Sequence, residues 1–317
     1  MRSPSVSARQ GPVLSRQRSQ RRVWAKWVET FAKGGAYIIL AAGILYVVGF
    51  TLWTMWISLT DSTLLPNYAF VGFKHYSRLL QSRVWQVAYI NLFVYGVAFV
   101  SISCGIGMLL AVLIDQRIRA ENLFRTIFLY PMALSFVVTG TVWGWILNPT
   151  IGAEHFVRGL GWMEFRFDWI VDRNMAIYTI SIAAVWQASG FAMALFLAGL
   201  RSLDADLYNA AQIDGASPLR MYVRILIPAI WPIVASVLVI LLQLALKTYD
   251  LVQAMTAGGP GIATMLPTNV VYDYMFQRGQ MGEGSAAAVM LLMSLLIVIL
   301  PYVVLQQIRR RGQAPNG

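Results

Sequence analysis

The sequence predicts an all-α integral membrane protein with six transmembrane helices, and three observations lead to that class. Apolar residues make up 58% of the 317 and charged residues only 12%, with a mean hydropathy of +0.60. A water-soluble domain of this size does not carry such a composition. Six segments, at 36–57, 88–114, 124–147, 176–200, 225–249 and 285–306, hold the roughly 20 mostly apolar residues that a helix needs to cross a bilayer. Lys and Arg, finally, are distributed unevenly between the connections. Segments 1–35, 115–125, 201–224 and 307–317 carry eight, three, three and three, against three, three and one in 58–87, 148–175 and 250–284. Positive residues collect on the cytoplasmic side, so both termini and the 201–224 loop are expected inside. The net charge of +11 is therefore read as topology, and no nucleic-acid partner is expected.

Taken in order, residues 1–34 form a basic cytoplasmic tail rich in Ser, Gln and Arg without an apolar period, which predicts disorder. The apolar run beginning near Ala36 is of full spanning length, so it reads as a retained first span rather than a cleaved leader. Residues 35–84 are taken as that span with its outer loop, 85–306 as the core containing the 201–224 loop, and 307–317 as a C-terminal cytoplasmic tail. The single cysteine, Cys104, lies within the second span and is expected to pack there. His75 and His155 fall in outer loops and are expected to be solvated. The sequence contains no Gly-Lys-Ser/Thr triplet, no HExxH and no GxSxG, so no P-loop, zinc site or nucleophile elbow is indicated. No catalytic residue, metal or cofactor is expected.

The most informative segment runs from Leu203 to Pro232, LDADLYNAAQIDGASPLRMYVRILIPAIWP. Leu203, Leu207, Ala210 and Ala211 recur at helical spacing, with Asp204 and Asp206 in the opening turn, where the helix dipole favours acids. Gly215 is placed to end that helix in a left-handed conformation, and Ser217-Pro218 reads as an N-cap with proline at the first helical position. The pattern predicts two short helices joined by a tight turn. A helix-turn-helix for DNA fits poorly, because spans flank the segment on both sides and it carries more acids than a groove-reading helix tolerates.

This segment resembles the cytoplasmic EAA loop of permease subunits in binding-protein-dependent ABC importers, through Asn209, Ala210, Ala211, Gly215, Ile225, Ile227 and Pro228. Asn209 departs from the family glutamate. A second block, YDLVQAMTAGGPGIATMLPTNVVYDYMF followed by GEGSAAAVMLLM, is similar to the end of permeases in the carbohydrate-uptake, maltose-type branch. Its equivalents are Tyr249, Asp250, Thr256, Gly258, Gly259, Pro260, Thr264, Tyr272, Phe276, Gly282, Ser285 and Ala286. Stretches at 70–80 and 124–152 look like the same branch. The resemblance implies a type I (MetI-like) permease fold in a bacterial inner membrane. It also implies a second similar permease subunit, two ATPase subunits, an extracytoplasmic solute-binding protein and a sugar substrate. Asp206, Asn209, Ala210, Ala211, Asp214 and Gly215 would then form the surface that couples to the ATPase.

Polar residues inside spans are costly against lipid and point to an aqueous pathway. The candidates are Asn91 and Tyr95 in the second span, Trp143 and Trp145 in the third, Trp186 and Gln187 in the fourth, and Gln243, Lys247, Tyr249 and Asp250 in the fifth. Two readings stand beside each other. Aromatic platforms with nearby amides suit a sugar, whereas Trp and Tyr also anchor spans at interfaces and amides bond neighbouring helices. Lys247 and Asp250 stand three apart, on one helical face near the outer end of the fifth span, where they either neutralise each other or reach separate partners. An ion-coupled secondary transporter is the rival function, with Asp250 as its natural relay. Gly258-Gly259-Pro260 predicts a sharp outer turn, and Val271, Tyr274, Met275 and Arg278 a short helix along the outer surface.

Overall fold

A computed structural model describes residues 43–312 apart from Pro66 and Arg117, together with Tyr37, Leu40 and Ala41. The expected N-terminal tail and residues 313–317 lie outside these. The chain divides into two units, residues 1–56 and 57–317. The first contributes one apolar helix, α1, Gly43–Ile57.

The regular elements of the second unit are helices, with one isolated antiparallel bridge, Thr60 to Phe70, among the described residues. Its elements are α2 (Lys74–Gln81), α3 (Arg83–Asp115), α4 (Glu121–Ala133), α5 (Phe136–Ile146), α6 (Ala153–Gly159), α7 (Ala176–Arg201), α8 (Ala205–Ile213) and α9 (Pro218–Met221). After these come α10 (Ile227–Ala229), α11 (Trp231–Leu246), α12 (Asp250–Met255), α13 (Pro267–Tyr272) and α14 (Met281–Gly312). Wide π turns occupy Tyr222–Leu226 and Asp273–Gln277. The C-terminal segment expected to be a tail from 307 continues α14 as helix to Gly312.

Helices α3, α7 and Met281–Pro301 of α14 are long and apolar enough to cross a membrane unbroken. Two further helix pairs are apolar enough only when taken together, so the segments expected at 124–147 and 225–249 each form two helices across a bend rather than one. Between α4 and α5 the chain turns by 98°, and between Pro218–Ala229 and α11 by 74°. A proline lies close to each bend. Pro131 lies in the last turn of α4, Leu134 is extended at φ −78 and ψ 146, and the Ser135 side chain restarts the ladder by accepting from the Val138 N–H at 3.3 Å. At the second bend Pro232 follows Trp231 as α11 opens, so it cannot donate to the carbonyl of Pro228 and its ring crowds that oxygen.

Helix α7 forms the centre. Inside the chain, 67% of its apolar window is buried, against 28% for α3 and 29% for α14, so those two leave most of their surface to lipid or other subunits. Phe196, Ile180, Met193, Leu197 and Leu200 on α7 are fully covered. Close approach depends on small residues. A Cβ on Gly107 of α3 would lie 2.7 Å from the Ala192 Cβ and 2.9 Å from the Met193 nitrogen, and one on Gly190 would overlap the Phe128 carbonyl.

A second core joins Leu79, Trp85 and Ala88 to Val270, Tyr274, Ala286 and Ala287. The short helix expected between Pro267 and Arg278 is formed by α13 and the π turn, and it buries Val270 and Tyr274 in this second core while Arg278 stays exposed. His75 is corrected from a solvated residue to one only 3% exposed, its Nε2 donating to the Thr60 carbonyl at 3.0 Å. Glu283, also buried, pairs with Arg78 and lies 3.7 Å from His75 Nδ1. His155 is exposed on α6, as the sequence predicts.

If the α3–α7 seam holds the bundle, Gly107→Leu should lower thermal stability in detergent by about 2 kcal/mol, as overpacking does. Gly105→Ala, whose Cβ meets nothing within 4 Å, should melt as wild type does. Unfolding of both variants by tryptophan fluorescence checks the pair.

Candidate functional site

Two regions gather candidate residues. The first is the hairpin formed by α8 and α9. Asp204 caps α8 through its carboxylate, which accepts from the Asp206 N–H at 3.1 Å. Gly215 comes next to the helix end at φ +70, with the Gly215 N–H bonded to the Gln212 carbonyl and the Ala216 N–H to that of Ala211. Ser217 then caps α9 by accepting from the Arg220 N–H at 3.4 Å, with Pro218 behind it. Every cap and turn read from the sequence is therefore formed.

Asp206, Asn209, Ala210, Asp214 and Gly215 are exposed. Ala211 is not. At 2% exposure it packs into the main core and binds the hairpin to the bundle. Ile213 (85% exposed) and Leu219 (75%) flank the glycine, so the hairpin tip presents apolar side chains beside its acids and amide. Sequence reasoning missed these two, although two large aliphatic residues in a polar loop were a visible signal.

It also missed the polar cluster beneath the hairpin. Asp115, the last residue of α3, accepts from the Tyr208 hydroxyl at 3.1 Å and the Tyr222 hydroxyl at 2.8 Å on one oxygen. Its other oxygen lies 3.7 Å from Arg201 Nε. Arg201 also pairs with Glu121 at 2.7 Å, and Glu121 with Arg125 at 3.3 Å. Burial, reinforced by the neighbouring Asp115 carboxylate, pushes the Tyr208 hydroxyl up to about 12. Tyr208 thus stays a donor throughout the physiological range. Tyr208 and Tyr222 stand symmetrically seven residues either side of Gly215, which is the sequence signal that could have revealed them.

The second region is the interruption between α11 and α12. Helix α11 ends at Leu246 and α12 begins at Asp250, so Lys247 and Asp250 do not share a helical face. Among the described residues no ion pair joins them, and both are exposed. Tyr249 starts an aromatic ladder through Tyr272 and Phe276, with ring centroids 4.9 and 5.2 Å apart. Gln243 is half-buried on α11, one turn before the break.

The remaining candidates divide. Asn91 donates to the carbonyls of Ala263 and Met265, both at 3.0 Å, and fastens the turn after Gly258-Gly259-Pro260. That turn is closed by Thr256 and Thr264, whose hydroxyls meet at 2.7 Å. Tyr95, 1% exposed, meets the Thr248 hydroxyl at 3.0 Å. Gln187 donates to the Leu134 carbonyl at 2.8 Å, filling the acceptor freed at the α4–α5 bend. Asn91 and Gln187 thus hold broken backbone in place, whereas Tyr95 reaches a side chain beside the α11–α12 break. Trp143 packs edge-on against Trp186 at 5.8 Å. Trp186 lines an apolar cavity of about 810 Å³ between α3, α4 and α7, with Ile102, Phe128 and Pro131 among its walls. A smaller cavity of about 420 Å³ offers Thr141, Trp145, Asn148 and Thr256, a mixture better suited to a hydroxyl-rich solute than the apolar one. Cys104 is half-buried and free, packed against the main core as expected. No group of three or more His, Cys, Asp or Glu that could hold a metal occurs among the described residues.

With Lys247 and Asp250 separated by a helix break, neutral replacements should act independently. The losses of thermal stability in Lys247→Met and Asp250→Asn, measured without substrate, should sum to that of the double variant within about 0.5 kcal/mol. A double-mutant cycle on unfolding in detergent checks this.

Comparison with known proteins places these features in context. Residues 103–312 match the family described as binding-protein-dependent transport system inner membrane component. A probable ABC transporter permease protein of Pyrococcus horikoshii is 37% identical over 270 residues, covering 84% of this chain and 91% of that protein. A xylose/arabinose import permease protein of Haloferax volcanii is 35% identical, covering 82% and 83%. In fold, the chain is similar to a subunit in the crystal structure of a bacterial ABC transporter involved in import of the acidic polysaccharide alginate. The TM-score is 0.76 at 20% identity, over 92% of this chain and 99% of that one.

Proposed function

The chain belongs to the family of binding-protein-dependent transport system inner membrane components, and on that premise we propose that it forms half of the sugar pathway in an ABC importer. As the permease subunit it is non-catalytic, and ATP hydrolysis occurs in a separate ATPase subunit. Family membership also sets aside the ion-coupled transporter. The proposed assembly pairs this chain with a second, similar permease subunit, two ATPase subunits inside and a solute-binding protein outside a bacterial inner membrane. Residues 85–306 are the transporting core, and both termini lie in the cytoplasm, as the positive charges of the internal connections demand.

The observation that carries this reading is the α8–α9 hairpin, seated on the core through Ala211 and open at Asn209, Ala210, Ile213 and Leu219. A short exposed helix with apolar and small residues fits a groove on the ATPase. Closing of the ATPases on ATP draws the two hairpins of the assembly together and turns the pathway outward. Sugar released by the binding protein then enters and leaves inward after hydrolysis.

For substrate contact the α11–α12 interruption is the favoured place. Broken helices supply unpaired backbone groups within the membrane, which suits polar solutes. Lys247, Tyr249 and Asp250 surround that break beside the Tyr272–Phe276 ladder. Aromatic faces stack on sugar rings while the charged groups bond hydroxyls. The relative that imports xylose and arabinose supports a small neutral sugar.

The assembled complex in liposomes, supplied with its binding protein, should take up at least one of labelled xylose, arabinose or maltose only when ATP is present. Uptake of none of them would remove the sugar reading. In the same vesicles Gly215→Val should break the link between ATP hydrolysis and uptake. A β-branched residue at φ +70 costs roughly 1–2 kcal/mol and redirects the hairpin, even though space around the glycine is open. Asn209→Glu, at an exposed site, should transport normally. Coupled transport by Gly215→Val would sink the docking role of this hairpin.

A further inference from the structure

Asp115 is an unfavourable choice for the end of α3. A carboxylate at a helix C-terminus faces the negative end of the dipole, and this one is only 7% exposed. Burying a charge there is costly unless donors surround it. The donors come from three directions. Tyr208 rises from α8 at 3.1 Å, Tyr222 comes from the turn after α9 at 2.8 Å, and Arg201 ends α7 at 3.7 Å. The two tyrosines reach the same oxygen from opposite arms of the hairpin. Tyr208 also donates to the Leu200 carbonyl at 3.3 Å, and Arg201 continues to Glu121 at the start of α4 at 2.7 Å.

This arrangement fixes the hairpin to α3 and α7 through one side chain, and Arg201 extends the network to α4. Rotation of the hairpin about Gly215 would pull at least one hydroxyl from Asp115 and leave a buried carboxylate short of donors, so the low-energy response is for α3 and α7 to move with it. Apart from the longer Tyr208 contact with the Leu200 carbonyl, the hairpin's other anchors are apolar contacts at Leu207, Ala211, Ala216 and Met221, which permit sliding and have no directional preference. The π turn that begins at Tyr222 is where the second arm joins the bent span leading to α11, so the same contact also faces the α11 branch.

We infer that, on the coupling-hairpin reading above, Asp115 is a positioning residue that carries ATPase-driven displacement of the hairpin into α3 and α7, with Tyr208 and Tyr222 as its two grips. It touches neither ATP nor sugar. Its contribution is to make hairpin and span ends one rigid body at the cytoplasmic face.

The test uses hydrogen exchange on the whole complex in lipid nanodiscs, with ATPase subunits and binding protein present. Amide exchange is compared with and without trapping by ATP and vanadate. In wild type, trapping should change exchange both in α8 and in the last two turns of α3. In Tyr222→Phe, which keeps the ring and loses one hydroxyl, the change in α8 should persist while that in α3 falls by at least about fivefold, the low end of ordinary coupling energies. Asp115→Asn should behave similarly, and Tyr222→Phe decides the matter if the aspartate variant does not assemble. A purely structural contact would slow or loosen both regions together, in the trapped and untrapped states alike, and that outcome overturns the assignment. So does full transmission to α3 in Tyr222→Phe. No change in α8 of the wild-type complex would instead remove the coupling-hairpin reading, and the role of Asp115 with it.

Discussion

The close seam between α3 and α7 is the contact on which the rest of this structure depends. In lipid there is little hydrophobic gain from bringing two apolar helices together, so association rests on packing and on hydrogen bonds. Small residues make that packing possible. Gly107 lies against Ala192, and Gly190 admits the Phe128 backbone to the opposite side of α7. With α7 thus enclosed, the flanking elements need not be regular helices, because α7 and α3 supply the surfaces and donors that irregular backbone requires.

That support is visible at each interruption. The α4–α5 bend frees the Leu134 carbonyl, and Gln187 from α7 fills it. The Gly-Gly-Pro turn frees the carbonyls of Ala263 and Met265, and Asn91 from α3 fills both. Thr268 from α13 donates to the Thr248 carbonyl beside the α11–α12 break. An unpaired backbone group costs several kcal/mol in hydrocarbon, so these polar side chains answer a structural demand before any solute arrives. Lys247 and Asp250, at the edges of the α11–α12 break, stay exposed and take no part in this repair of the backbone.

At the hairpin end polarity serves a different purpose. The α8–α9 hairpin is short, and by itself two helices of this length are marginal. Caps at Asp204 and Ser217 and burial of Ala211 hold its shape, while Asp115 orients it. Shape is local and could be read from caps and glycine. Orientation is not, because Asp115 and its tyrosines are about a hundred residues apart in the chain.

By itself the sequence determined the features that arise from short-range chemistry and from the bilayer. Apolar runs set the spans, since lipid leaves a helix no alternative. Gly215 and Ser217-Pro218 set the hairpin, because positive φ and capping are decided within a few residues. The polar candidates within spans stand out in the sequence as important, yet their duties are not legible there. Whether Asn91 and Gln187 meet substrate or backbone depends on carbonyls 172 and 53 residues away. Lys247 and Asp250 look paired only because helical spacing assumes an unbroken helix. His75 looks solvated until Thr60 and Glu283 enclose it. Only tertiary structure could decide these, because hydrogen-bond partners are assigned by proximity in space, and periodicity along one helix carries no information about which carbonyl a neighbouring bend leaves unpaired.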